Sequence, residues 1–305
     1  MLNRYTNLML KAEKGISFEV NEQDGNIIIR AKKEDQNTKR YGTFSKIPIV
    51  PKNFTHLKGT VEQGYVIKRD SDGSQFTWIP VAKLQDNGLL SLRKGFAEKF
   101  GRRSFMGDNF SRNNFHEPLY TGLLAQMESI LKYGGFYVSS YAISKGVSGK
   151  PQSLPGYQPW TNVTQEDAKY ISMSMFLKDS NGVKSHLLYG AEYDTILEWL
   201  LESGKWTEET VCENSSRVGN YWNNRYASYE VAKTGSEKAW EAGHIYDLAG
   251  NVSEWTQEEN DEMFYVARGG NCNLYGFDYP VAHREVMLPT ESSNSLGFRV
   301  ALYLK

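Results

Sequence analysis

The stretch Ile245-Tyr246-Asp247-Leu248-Ala249-Gly250-Asn251-Val252-Ser253-Glu254-Trp255 decides how this chain is read. Gly250-Asn251 is a turn signal, because Gly and Asn take up tight-turn backbone at little cost, so the stretch folds Ile245-Tyr246 back against a strand carrying Trp255. Four further stretches flank it in order. They are Pro159-Trp160-Thr161-Asn162-Val163-Thr164-Gln165-Glu166-Asp167-Ala168, Leu188-Tyr189-Gly190-Ala191-Glu192-Tyr193, Ala267-Arg268-Gly269-Gly270 and Leu296-Gly297-Phe298-Arg299-Val300-Ala301. Gly269-Gly270 lets the backbone turn sharply or be approached closely. Arg299, in a terminal strand, is placed for its guanidinium to tie loops together.

Working outward, Thr164 with Asp167 three residues on reads as a helix start running through Ala168, Ile171, Met175 and Phe176. A second helix is predicted from Ala191 to Glu202. A third runs from Leu119 to Lys132 with Leu123, Leu124, Met127, Ile130 and Leu131 on one face. The runs Gly64 to Lys68 and Phe76 to Val81 flank Asp72-Gly73 as a hairpin, and Gly135 to Ile143 reads as a strand. Leu84 to Tyr120, rich in Gly, Arg, Asn and Phe without periodicity, is expected to be a long surface excursion. At the N-terminus, Ile16 to Val20 and Ile27 to Ile29 around Asp24-Gly25 predict a small hairpin, followed by the polar run Lys32 to Arg40. Two strands are marginal in water, so this hairpin needs a partner surface, on the main domain or on another chain. The expected division is residues 1–47, a hairpin and linker serving assembly or docking, and 48–305, one main domain.

Composition narrows the function. A hydrophobic share of 40% with 13% aromatics supplies a core, and a formal net charge of −1 gives no field to hold a polyanion, so nucleic acid is not expected as a partner. No run of about 20 apolar residues is present and membrane insertion is not expected. The first residues lack a signal peptide's apolar run, which predicts synthesis in the cytosol. The two cysteines, Cys212 and Cys272, lie in no metal or redox motif and read as free thiols, and the five histidines show no metal-triad spacing.

Taken in order, the five stretches closely resemble the formylglycine-generating enzyme family, the sulfatase-modifying-factor domains. The resemblance spans about Phe76 to Leu304 and implies an α+β, C-type-lectin-like fold carrying the N-terminal β-hairpin as an extension. It also implies a chemistry that this chain departs from. The family's enzymes oxidise a substrate cysteine with two cysteines that bind copper, placed shortly after the Gly-Gly pair. Counted from Gly270, those positions are Leu274 and Tyr279, and Cys272 is offset. Copper needs soft thiolates, so neither copper nor catalysis is expected. Ser253 stands where the family has tryptophan.

The resemblance further implies calcium bound through the side chains of Asp247 and Glu254 with the carbonyls of Gly250 and Val252, hard oxygens that suit the ion. The same residues admit a second reading, in which Asp247 caps the turn and Glu254 forms a salt bridge. For binding, the tract Asn271 to Ser295 offers Asn271, Asn273, Tyr275, Phe277, Tyr279, His283 and Arg284, and Trp222 with Tyr226 joins them from Asn220 to Tyr226. Aromatic anchors among adaptable hydrogen bonders resemble a paratope. Alternation of Tyr275, Phe277 and Tyr279 equally fits one face of a buried strand, and Trp222 equally fits the core.

Family members lacking the cysteines include phage receptor-binding proteins, diversified between landmarks like Arg268-Gly269-Gly270 and Gly297-Phe298-Arg299. The expected function is therefore a non-catalytic virion component, assembled in the host cytoplasm, that recognises a host-surface protein or glycan through the C-terminal loops or decorates the particle. Other virion proteins, or further copies in a homo-oligomer, are expected on the N-terminal segment. The alternatives are a catalytically altered relative of the enzymes and a host binding module.

Overall fold

The computed structural model describes residues 16–20, 27–31, 48–84, 90–92, 115, 121–177, 182–224, 230–260 and 262–305. Its centre is a six-stranded antiparallel sheet in the order Val183–Leu187, Val300–Leu304, Gly135–Ser139, Gln75–Pro80, Val66–Arg69, Phe54–Lys58. The middle strands are buried on both faces, and their side chains alternate between two cores. Phe76, Trp78, Tyr137, Val300 and Leu302 enter one core with Phe176, Trp255 and Phe298. Ile79, Phe136, Val138 and Ala301 enter the other with Ile196, Leu197, Trp199, Leu200 and Tyr221. This double burial explains why these strands read as near-continuous apolar runs.

Among the described residues, three α-helices cover the sheet: α1 (Thr121–Tyr133), α2 (Gln165–Ser174) and α3 (Gly190–Glu202). The start of α2 is the predicted one, with Thr164 accepting from the Asp167 backbone N–H while the Asp167 carboxylate accepts from that of Thr164. A second sheet carries the deciding stretch, in the order Arg284–Met287, Tyr265–Arg268, Ser253–Glu259, Leu296–Phe298, the last pair parallel. Both residues of the Gly250-Asn251 turn have positive φ, as does Asp247. Among the described residues no helix is long and apolar enough to cross a membrane.

Two expectations change. The strand from Gly135 stops at Ser139, where Arg299 takes the Ser139 carbonyl. The stretch from Leu84 is more than a surface excursion. It supplies Leu90–Leu92, which pairs with Ala82–Leu84 and, through Leu90 opposite Ile29, with the N-terminal hairpin Ile16–Val20 and Ile27–Ala31. The hairpin's strand partner thus lies in this chain, in a four-stranded sheet. Phe115, from the same stretch, is buried with its ring 5.8 Å from the Arg284 guanidinium.

Candidate functional site

Two loops form the site, 214–224 and 269–283, and the second is held at both stems. Arg268 and Arg284 stand opposite each other on neighbouring strands. Both guanidiniums are fully buried, and both reach the same two acids. Asp194 of α3 accepts from Arg268 at 2.9 Å and from Arg284 at 2.6 Å. Glu258 accepts from Arg284 at 2.7 Å and lies 3.5 Å from Arg268. Two positive and two negative charges balance, so each is buried with its partner in place. The Tyr193 ring lies 4.6 Å from the Arg268 guanidinium, and its burial pushes the phenol well above its ordinary range. This node bolts α3 to the second sheet and fixes where the loop leaves and returns.

Between its stems the loop is sewn to its neighbour by backbone contacts. Ser215 N–H donates to the Gly276 carbonyl, and Trp222 N–H donates to that of Leu274. The Asn223 side-chain oxygen Oδ1 accepts from Gly276 N–H and from the Ser216 hydroxyl, while Val281 N–H donates to the Ser215 hydroxyl. A Cβ at Gly276 would sit 2.5 Å from Ser216 N, so glycine is required for the loops to approach. On this frame Tyr275 (42% exposed) and Phe277 (52%) stack on each other with centroids 5.3 Å apart, and Trp222 (45%) lies on the adjoining loop.

Of the residues named for binding, Trp222, Asn273, Tyr275 and Phe277 are exposed, and Tyr279 and His283 are half-buried, ring against ring at 4.9 Å. Neither alternative placement holds, since Trp222 does not plug the core and Tyr275 with Phe277 lies on a loop, not on a buried strand. Two residues are corrected. Arg284 belongs to the buried charge node, and Asn271 is buried with its amide donating to Ser253 Oγ. Tyr226 falls outside the described residues.

The cysteine-equivalent positions carry no thiol. Leu274 is half-buried, and its N–H donates to the Asn271 carbonyl. Cys272 is buried and its thiol pushed up by burial, while Cys212 donates to the Glu208 carboxylate from another core. Ser253 donates to the Glu285 carboxylate.

Both side chains named for calcium, Asp247 and Glu254, accept hydrogen bonds from this chain. Glu254 is spent on Arg299, whose Nε lies 3.0 Å from both carboxylate oxygens and whose Nη2 donates at 2.8 Å to one of them. The same guanidinium donates to the Ser139 and Tyr246 carbonyls. Asp247 accepts from Gly235 N–H at 2.7 Å, and its other oxygen is buried without a donor. A divalent ion beside Glu254 would meet a guanidinium already in place, and no group of three or more metal-ligating side chains occurs among the described residues. The salt-bridge reading of Glu254 is the one the geometry follows.

A profile described as the sulfatase-modifying factor enzyme 1-like domain matches residues 149–304, just over half of the chain. The chain belongs to that family. Its fold is the family's α+β, C-type-lectin-like one, and four strands of the six-stranded sheet lie upstream of the match. Solved structures similar to it include Treponema denticola variable protein 1, at 15% identity and TM-score 0.40, covering 55% of this chain and 84% of that one. PvdO from Pseudomonas aeruginosa aligns at 16% identity and TM-score 0.46, covering 78% and 98%. The Major Tropism Determinant U1 variant aligns at 9% and 0.37, covering 96% of each chain. No curated protein sequence matches this one.

Sequence reasoning found the aromatics because exposed Trp, Tyr and Phe among Asn stand out by type. It missed Ser215, Ser216 and Asn223, which set the loops' mutual position, and the acids Asp194 and Glu258. The Asp194 signal was faint, since it is one of four acidic residues of α3 and nothing in the sequence sets it apart from Glu192, Glu198 and Glu202.

Proposed function

We propose that this protein is a non-catalytic binding protein, a component of a phage or phage-like particle that engages a host-surface protein or glycan through Trp222, Tyr275 and Phe277. The observation that carries the reading is the stacked, exposed Tyr275–Phe277 pair on a loop anchored at both stems by buried charges. Exposed aromatics are costly unless used, and a rigid loop loses little entropy when it binds. Leu274 and Tyr279 speak against copper–thiolate oxidation, since neither side chain is a soft ligand.

Assembly is the role we assign to the N-terminal hairpin. Ile16–Val20 is the outermost strand of its four-stranded sheet among the described residues, and such an edge pairs readily with another chain. The test is binding of the purified chain to candidate host cells and to a glycan panel. Trp222→Ala and Phe277→Ala should each weaken attachment about tenfold or more, as central aromatic anchors do, with melting unchanged. Undiminished attachment by folded variants would overturn the reading.

A further inference from the structure

A cleft of about 550 Å³, built from other elements, is lined by Lys58, Gly59, Gln63, Lys205, Glu241, Ala242, Gly243 and His244. Its size falls in the range of small-molecule sites. Two ammonium groups stand over aromatic rings. Lys58 Nζ lies 5.5 Å from the centre of Tyr246 and donates to its hydroxyl, and Lys205 Nζ lies 5.6 Å from that of Trp199 and donates to the Glu62 carbonyl. Each keeps further N–H groups to offer. Rings beneath and tethers at the tips hold these flexible side chains in place before any ligand arrives.

His244 is the third polar wall, and its backbone is strained to place it there, with φ of 62°. Two contacts orient it. Its N–H donates to Glu241 at 2.6 Å, and Nδ1 lies 2.8 Å from the Gly64 carbonyl. A carbonyl only accepts, so Nδ1 donates its proton there, and in the neutral ring Nε2 is the acceptor. No described residue partners Nε2. The backbones of Gly64 and Gly243 touch so closely that a Cβ on Gly64 would lie 2.1 Å from the Gly243 carbonyl oxygen, so glycine is required beside the cleft.

We propose that this cleft binds a small hydroxylated anion, an acidic sugar bearing a carboxylate or a phosphate. Lys58 and Lys205 take the anionic group. Glu241, whose free oxygen is an acceptor, together with Gln63 and His244 Nε2, takes hydroxyls. With two ammonium groups against one carboxylate, the cleft favours an anion although the chain as a whole is at −1. Neutral sugars lose the ammonium contacts and keep only the hydroxyl ones.

The experiment is calorimetric titration of the whole chain with glucuronate, glucose 6-phosphate and glucose. One or both acids should bind about tenfold more tightly than glucose, the effect of charge-assisted hydrogen bonds to the two ammonium groups. Whichever acid is preferred identifies the anionic group. The Lys58→Met, Lys205→Met double variant, which keeps the apolar stems over the rings, should lose the preference with melting unchanged. His244→Asn, a residue that tolerates the same backbone, should weaken the acids and glucose alike. Acids that bind no better than glucose, or a preference that survives in the double variant, would overturn the proposal. Trp222→Ala should leave these titrations unchanged, so their failure is distinct from failure of the aromatic site.

Discussion

Replacing Asp247 by asparagine tests how the deciding turn balances its charges. Burial pushes the Asp247 carboxyl up from 3.8 to about 6, against the pull of Gly235 N–H and Arg299, with Glu254 adding to the push. A folded value above the unfolded one means that the native state holds the proton more tightly between those two values. Stability from this group is therefore complete at the acid end and is lost as pH rises through about 6. At 1.36 kcal/mol for each pH unit, the full loss is about 3 kcal/mol, of which about 2 kcal/mol falls between pH 4.5 and 7.5.

Asparagine removes the titration and keeps the geometry. Its carbonyl oxygen can accept from Gly235 N–H, and it tolerates the φ of 56° at this position. Urea denaturation of both proteins at pH 4.5 and 7.5, with chelator present, should show the wild type losing about 2 kcal/mol more than the variant across that interval. Comparing differences cancels Glu285, which burial also raises, because it is common to both proteins. Equal slopes would refute the assignment. So would calcium that stabilises the wild type alone and abolishes its slope, since Asp247 would then be neutralised by an ion in a shell that Arg299 does not pre-empt.

Other outcomes follow from the same contacts. Arg299→Met leaves Glu254 buried without its partner and should cost about 3–5 kcal/mol in urea denaturation, and adding Glu254→Gln should recover part of that; no recovery would mean that Glu254 is not the stranded charge. Asn223→Ala removes the acceptor shared by Gly276 N–H and Ser216, and should cost about 1–2 kcal/mol with faster amide exchange at Gly276. Trp222→Ala and Phe277→Ala should change stability by only about 0.5 kcal/mol, since both side chains face solvent, and a larger loss would place them in the packing instead. Mass spectrometry of a cysteine-containing sulfatase peptide incubated with the protein, copper and oxygen should show no formylglycine, and conversion would refute the non-catalytic reading.

The fold was legible where local chemistry and burial agree. Thr164 with Asp167 marks a helix start because both reciprocal bonds lie within three residues, and the apolar runs at 76–79 and 136–138 mark strands that two cores bury from opposite sides. Position along the chain misled where the partner is distant. Arg284 sits among Tyr, His and Asn in a tract that reads as surface, yet its counter-charges come from Asp194 on α3 and Glu258 on the next strand but one. Nothing within ten residues of Arg284 announces them. The N-terminal hairpin posed the same difficulty, since its partner at Leu90 lies in a stretch without periodicity.

Arg268, Arg284 and Arg299 connect these observations. Arg268 and Arg299 were visible in motifs, Arg284 was not, and all three are spent on holding the scaffold, each guanidinium fully buried against carboxylates. Burying so many charges stabilises little by itself, because desolvation offsets most of the attraction. Its effect lies in geometry. A guanidinium fixed by several acceptors has one allowed position, so loop stems attached to it keep theirs whatever side chains the loop carries. The exposed positions between Arg268 and Arg284, Asn273, Tyr275 and Phe277 among them, are thereby freed from specifying the fold, while Gly276, Val281 and Ala282 still serve it. In this chain that interval carries Leu274 and Tyr279 and displays the stacked, exposed Tyr275–Phe277 pair on the frame beneath it.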